Sequence, residues 1–244
     1  MRNISLIVSY DGTAYHGWQY QPNLITIERV VREAIEKILN HKIKIYAGAR
    51  TDTGVHAQGQ VVNFFTEKGI EPGSLARGLN SLLPVDIRVK DAFEVDPDFH
   101  ARYSAKSKTY VYCILNATYN SPFYARYVWH IPYNIDVSSM NDSIKLIVGQ
   151  HDFSAFKKKN TTYHNPIREV IRARVKRRGN FIYIVIEATG FLRYMVRNIV
   201  GTFMLVGSGK IGVEDFRKIL ESKDREKAGP TAPAKGLFLR EIKY

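Results

Sequence analysis

Cysteine is almost missing from this chain of 244 residues. The single Cys113 excludes an internal disulfide framework, and its place in the strand-like run 110–115 reads as a small core position. No apolar run approaches the roughly 20 residues that a membrane-spanning helix needs. The opening Met1 to Ser5 leads straight into a strand pattern without a signal-peptide core. The expectation is a soluble cytoplasmic protein with no membrane partner. Histidines at 16, 41, 56, 100, 130, 151 and 164 show no spacing that gathers ligands on one element, so no metal site is expected. Neither a P-loop nor a dinucleotide fingerprint occurs, and no cofactor is expected.

Acidic residues are also scarce, 23 against 36 Lys and Arg, for a formal net charge of +13. Such an excess attracts polyanions through counterion release, which makes nucleic acid the first candidate partner and a merely solubilising surface the plainer alternative. Clustering favours the former. Lys157, Lys158, Lys159, Arg168, Arg172, Arg174, Lys176, Arg177 and Arg178 fall in one stretch, and the alternation of 172, 174 and 176 lines one face of a strand.

Periodicity then orders the chain. Ile4, Leu6, Val8 and Tyr10 alternate as a strand, and Ile27 to Leu39 recur at helical spacing behind Thr26 as a cap. Strands follow at 43–46 and 61–65, a helix at 72–83 stopped by Pro84, and a strand at 87–95. The order β-α-β-β-α-β is the split unit of ferredoxin-like folds. The second half repeats it, with a strand at 109–115, a helix at 137–148, a hairpin of 168–176 and 181–188, helices at 191–206 and 214–221, and a strand at 237–243. The expected fold is therefore α/β (α+β): two similar βαββαβ halves, each an antiparallel sheet with helices on one face, and an active cleft between them. The polar segment 96–106 is the expected joint, dividing a half of residues 1–100 from one of 101–244.

The stretch from Gly48 to Phe64 does not read as scaffold. Glycines at 48, 54 and 59 shape a loop between strands, and Arg50 and Asp52, two apart, leave an extended backbone on the same face. That spacing presents one carboxylate, although an Asp two before a Gly also closes an ordinary Asx turn.

Arg50-Thr-Asp52-x-Gly-Val-His56-Ala-x-Gly-Gln-Val, with Tyr10-Asp-Gly-Thr-x-Tyr-x-Gly-Trp-Gln-x-Gln21, resembles the tRNA pseudouridine synthase A family. So do Lys108-Thr-Tyr110-x-Tyr, Met195-Val-Arg197-Asn-Ile-Val-Gly201 and Ala228-Gly-Pro-Thr-Ala-Pro-Ala-x-Gly-Leu237-x-Leu, in the family's order. The resemblance implies an isomerase that turns uridine into pseudouridine at positions 38, 39 and 40 of the tRNA anticodon stem-loop, acting as a homodimer and without a cofactor. It implies Asp52 as nucleophile, Tyr110 as the ring that stacks on the base, and Leu237 as an apolar wall beneath it. Ala49 departs from the family's usual glycine, and Arg193-Tyr194 from a more apolar or His-bearing pair.

The residues supply physical reasons of their own. A carboxylate that must be ionised inside a fold needs a cation, and a permanently charged, forked guanidinium serves best. Arg197, in an otherwise apolar helix, is the candidate, unless it escapes to the wet face with Arg193. Uracil released from its sugar must be kept dry and stacked, which an aromatic face does, although Tyr110 and Tyr112 on one strand face also suit a core. Arg50 is a candidate phosphate or nucleotide holder; a salt bridge that stiffens the loop is the plain alternative. His100, Arg102 and Lys108, like Arg172 and Arg174, suit an RNA backbone, and a solvated linker at 99–108 looks much the same. An RNA-binding module without catalysis, and a nuclease or RNA glycosidase using Asp52, remain rivals at this point.

Overall fold

The computed structural model describes residues 1–244. In chain order the elements are β1 (Arg2–Tyr10), α1 (Ile27–Leu39), β2 (Tyr46–Ala47), β3 (His56–Thr66), α2 (Pro72–Leu82), β4 (Ile87–Val95), β5 (Ser107–Asn116), β6 (Trp129–Ile131), α3 (Val137–Lys145), β7 (Gly149–Asp152), β8 (Ile167–Arg178), β9 (Phe181–Ala188), α4 (Met195–Gly207), α5 (Val213–Ser222) and β10 (Leu237–Lys243). This is the mixed α/β class expected. Two compact units emerge: Met1–Lys106 with Phe238–Tyr244, and Ser107–Leu237. The final strand, which the sequence assigned to the second half, thus goes with the first unit, because Phe238 and Leu239 pair in parallel with His56 and Ala57 of β3.

In the first unit β1 is the middle strand, antiparallel to both β3 and β4. Ile4, Leu6 and Val8 are fully buried there. Helix α1 starts where the Thr26 side chain accepts the Arg29 N–H and stops at Asn40, whose positive φ lets its own N–H close on Glu36. Its apolar stripe, Ile27, Val31, Ala34, Ile35 and Leu39, is buried. Helix α2 is capped by Glu71, which accepts from the N–H groups of Gly73 and Ser74, with Pro72 just inside.

Strand β3 begins at His56, earlier than the expected 61–65, and β2 is only Tyr46–Ala47 where 43–46 was expected. The aspartate segment is therefore shorter than it looked. Its polar residues hide the start of the strand, since Gln60 and Gly59 face protein instead of solvent.

In the second unit β5 and β9 pair antiparallel, β9 with β8, and β8 with β7, while β6 adds to β5 in parallel. The helices α3, α4 and α5 pack on one another, and Phe216 of α5 stacks on Phe203 of α4 at 4.8 Å between ring centres. The short strands β6 and β7 were not anticipated, and α3 ends at Lys145, ahead of the expected 148. Helix α4 begins at Met195, not 191, because Tyr194 takes a left-handed φ of 67° and breaks the apolar run that made the boundary invisible. Cys113 is half-buried, and burial pushes its thiol up to about 12, which favours the protonated form.

Nearly all of α4 is buried, and one side is covered by the segment 228–232. The two backbones touch through glycines: a methyl on Gly201 would overlap the Pro230 carbonyl, and one on Gly229 would sit 2.8 Å from the Gly201 oxygen. Thr202 completes the seam by accepting the Gly229 N–H at 2.9 Å. In a free helix Gly to Ala stabilises by up to about 1 kcal/mol, whereas forcing a methyl into a closed contact costs about 1–3 kcal/mol. The clash wins. Gly201→Ala is expected to lower the unfolding free energy by about 1–2 kcal/mol in urea denaturation, against the sign of helix propensity.

Candidate functional site

The Asp52 loop is held on both sides of its carboxylate. Upstream, Gln60 reaches from β3 and clasps Ala49, its Oε1 accepting the Ala49 N–H at 3.1 Å and its Nε2 donating to the Ala49 carbonyl at 2.7 Å. Next to the aspartate, the Thr51 hydroxyl shares a buried 2.8 Å hydrogen bond with Tyr10, and the Thr51 carbonyl accepts the Trp18 N–H at 3.0 Å. Burial pushes the Tyr10 phenol well above its ordinary range, so it remains a neutral partner. Downstream, Val55 N–H closes a turn on the Asp52 carbonyl at 3.1 Å.

Thr51 and Val55 are buried while Asp52, between them, is half-buried and Arg50 is exposed. The loop is thus pinned by its neighbours, and Asp52 is presented from it. The turn at Asp52 is closed by its backbone carbonyl.

The Tyr10 to Gln21 motif acquires a physical meaning here. Gly17 has a φ of +84°, and a Cβ on it would stand 2.6 Å from the Thr51 carbonyl; one on Gly12 would overlap the Val55 carbonyl. Both glycines let one segment lie against the other. His56 supports the same junction: fully enclosed and stacked on Phe238 at 4.7 Å, its Nδ1 accepts the Gly12 N–H at 3.1 Å, with Asp11 Oδ1 also 3.1 Å away. Its ring thus ties the first strand's turn to the start of β3.

In the second unit, Arg197 of α4 is half-buried, whereas Arg193 is exposed and lies ahead of the helix, so the two arginines do not share a wet face. Arg197 Nε donates to the Ala232 carbonyl at 2.7 Å, the Ala232 N–H returns to the Arg197 carbonyl at 3.1 Å, and the guanidinium lies 4.8 Å from the Tyr194 ring centre. Its neighbour Asn198 is a buried hub, donating to the carbonyls of Phe156 and Lys157 and accepting from Thr231 Oγ1 at 2.6 Å. The Met195 to Gly201 and Ala228 to Ala234 motifs are therefore one structure, with Asn198, Thr202 and Gly201 joining them around Arg197.

Tyr110 is buried on β5 with its ring edge-on to Phe191 at 5.0 Å, and Leu237 is buried at the start of β10. Tyr112, two residues on, spends its hydroxyl on the Pro233 carbonyl at 2.7 Å, which makes it packing for the 228–234 segment. His100 and Arg102 lie in one turn: His100 Nδ1 accepts the Arg102 N–H at 3.1 Å, and the His100 ring lies tilted against those of Tyr46 and Tyr103. Lys108 is half-buried on β5.

Arg172, Arg174 and Lys176 are all exposed on β8, as the alternation predicts, past a bulge at Ile171. Arg172, however, is engaged by Glu187 at 2.8 Å, a buried carboxylate that also accepts from Ser107. A buried acid needs that cation, so Arg172 has a structural duty that Arg174 and Lys176 lack. Sequence reasoning did not single out Gln60, Thr51 or Asn198 as supports. Each stands inside a quoted motif, and only its hydrogen bonds reveal the reason. No group of three or more His, Cys, Asp or Glu gathers as a metal site, and no helix is long and apolar enough to cross a membrane.

Comparison with known proteins covers most of these residues. The family described as tRNA pseudouridine synthase matches over residues 6–104 and 144–244. A tRNA pseudouridine synthase A of Thermoanaerobacter sp. (strain X514) is 48% identical over 100% of both chains, and one of Acetivibrio thermocellus is 43% identical over 100% of both. Among solved structures, the H/ACA ribonucleoprotein bound to a substrate RNA containing 2′-deoxyuridine overlaps 82% of this chain and 43% of that one at 15% identity, with a TM-score of 0.37, too low to carry an argument. With full-length identity at this level, the chain belongs to the tRNA pseudouridine synthase family.

Proposed function

We propose that this isomerase converts uridine to pseudouridine at positions 38, 39 and 40 of the tRNA anticodon stem-loop, as a cytoplasmic homodimer, with Asp52 as its nucleophile. The reaction breaks the N1–C1′ bond, turns the uracil and rejoins it through C5, so it needs no redox step and no energy input. The observation that carries the assignment is the Asp52 loop, pinned at Ala49, Thr51 and Val55 with the aspartate presented between them, in a chain whose relatives match it end to end. A fixed carboxylate suits attack on the sugar or the ring.

Arg197 is assigned as the cation that pairs with Asp52 and favours its anionic form, Tyr110 as the stacking face, Leu237 as the apolar wall, and Arg50 as the holder of the flipped nucleotide's place. Arg197 is suited to this by its anchoring at Ala232 through Nε, which fixes the stem that carries the fork. His100, Arg102, Lys108, Arg172 and Arg174 are assigned to the RNA backbone, Arg172 with its charge partly committed to Glu187. In this scheme the first half brings the aspartate, and the second brings the tyrosine, the arginine and the basic hairpin.

Two measurements test the proposal. Asp52→Asn is expected to bind unmodified tRNA as the unaltered protein does, yet to give no pseudouridine by carbodiimide-blocked primer extension, a loss of at least ~1,000-fold; retained turnover removes Asp52 from the chemistry, and cleaved strands or free uracil identify a nuclease or glycosidase. Neutralising Arg174 and Lys176 together is expected to lower the slope of log affinity against log salt by about 1–2. An unchanged slope takes that hairpin out of the interface.

A further inference from the structure

The run Lys157 to Lys159, conspicuous for its charge, has no part in the chemistry above. Its backbone is held from one side by Asn198, which donates to the Phe156 and Lys157 carbonyls at 2.8 and 2.9 Å, and from the other by the Arg193 carbonyl, which accepts the Lys158 N–H at 2.8 Å. This sets Lys159 on the wall of an open cavity of about 300 Å³ within the second unit, lined also by Arg225, Glu226 and residues 228–231.

Arg225 is the unusual wall. It is half-buried, and its fork reaches only neutral acceptors: the Ala228 carbonyl at 3.2 Å, Asn198 Oδ1 at 3.1 Å and Thr231 Oγ1 at 3.2 Å. The acid beside it, Glu226, is drawn to Lys159 Nζ at 2.9 Å. Desolvation lowers the Arg225 pKa, the direction of a cation whose charge is not fully matched. Two cations therefore share one exposed carboxylate at the rim of a cavity, with Lys157, Lys158 and Lys227 adjoining in sequence. A guanidinium fork fixed in place beside an exposed ammonium suits a phosphate, whose oxygens take both.

We infer that this cavity binds a backbone phosphate of the tRNA, held by Arg225 and Lys159, with Glu226 as the internal anion that the phosphate displaces from Lys159. The inference rests on tRNA being the substrate. A phosphodiester and free phosphate present the same oxygens, but a rim at which Lys159 and Glu226 are each about two-thirds exposed suits a phosphate carried along an RNA chain.

The test is binding of unmodified tRNA to the full-length protein over a series of salt concentrations. Lys159→Gln is expected to weaken binding several-fold and to lower the salt slope by about 1. Glu226→Gln is expected to act in the opposite direction and tighten binding, because the competing carboxylate is gone. Both side chains are exposed, so neither change threatens the fold. An unchanged slope in Lys159→Gln, or weaker binding in Glu226→Gln, overturns the inference. Inorganic phosphate that raises the melting temperature of the unaltered protein but not of Lys159→Gln, with the tRNA slope unchanged, reassigns the cavity to a free anion and also overturns it. No tRNA affinity in the unaltered protein defeats the substrate reading itself, an outcome distinct from a bound tRNA whose slope does not move.

Discussion

On the proposal that Asp52 attacks a flipped nucleotide, its carboxylate cannot ride on a loose loop, since a displacement of about 1 Å costs roughly 100-fold in rate. Everything local to Asp52 answers that constraint. The Gln60 amide clasps Ala49 through both of its polar groups, the Tyr10 and Thr51 hydroxyls meet out of water, and Gly17 and Gly12 let the first strand's turn lie directly on the loop backbone. Losing one partner of such a buried bond leaves the other unsatisfied, at about 1–3 kcal/mol. Three independent tethers over seven residues make the loop part of the sheet's frame.

The second unit applies the same logic to a cation. Arg197 is anchored at Nε by Ala232, whose own N–H closes back on the helix, and the segment bearing Ala232 is sealed onto α4 by the approach of Gly229 to Gly201 and by the bonds of Asn198 and Thr202. A guanidinium placed by backbone contacts is cheap to keep oriented, because little of its rotamer entropy is left free. Supporting side chains, more than reacting ones, occupy most positions of the two motifs.

Much of this was legible before any coordinates. The helix of Ile27 to Leu39 with its Thr26 cap, the strand at 87–95 and the hairpin strand at 181–188 follow from apolar spacing and turn residues, and the structure has them at those bounds. The misses share a cause. Strand β3 opens on His56-Ala-Gln-Gly-Gln, where side chains serve the loop and the final strand, so alternation is masked by contacts distant in sequence. The apolar run through Phe191 and Leu192 conceals the left-handed Tyr194 at which α4 begins, because hydrophobicity does not register a single φ. Strand β7, only Gly149–Asp152, is too short and polar to have a period. Arg172 looked like its neighbours on β8 until the buried Glu187 opposite it appeared. The candidate residues were found through motif resemblance, and what sequence withheld was the set of supports that give those motifs their composition.

Position therefore matters at Asp52 as much as charge. The most direct test is Asp52→Glu, which keeps the carboxylate and shifts it by one methylene on a loop tethered on both sides. With tRNA carrying tritium at uridine C5, whose hydrogen must leave when the ring rejoins the sugar there, tritium release by this variant is expected to fall by roughly 100-fold or more while tRNA affinity is kept. Release at the rate of the unaltered protein would contradict the claim that a fixed Asp52 carboxylate performs the chemistry.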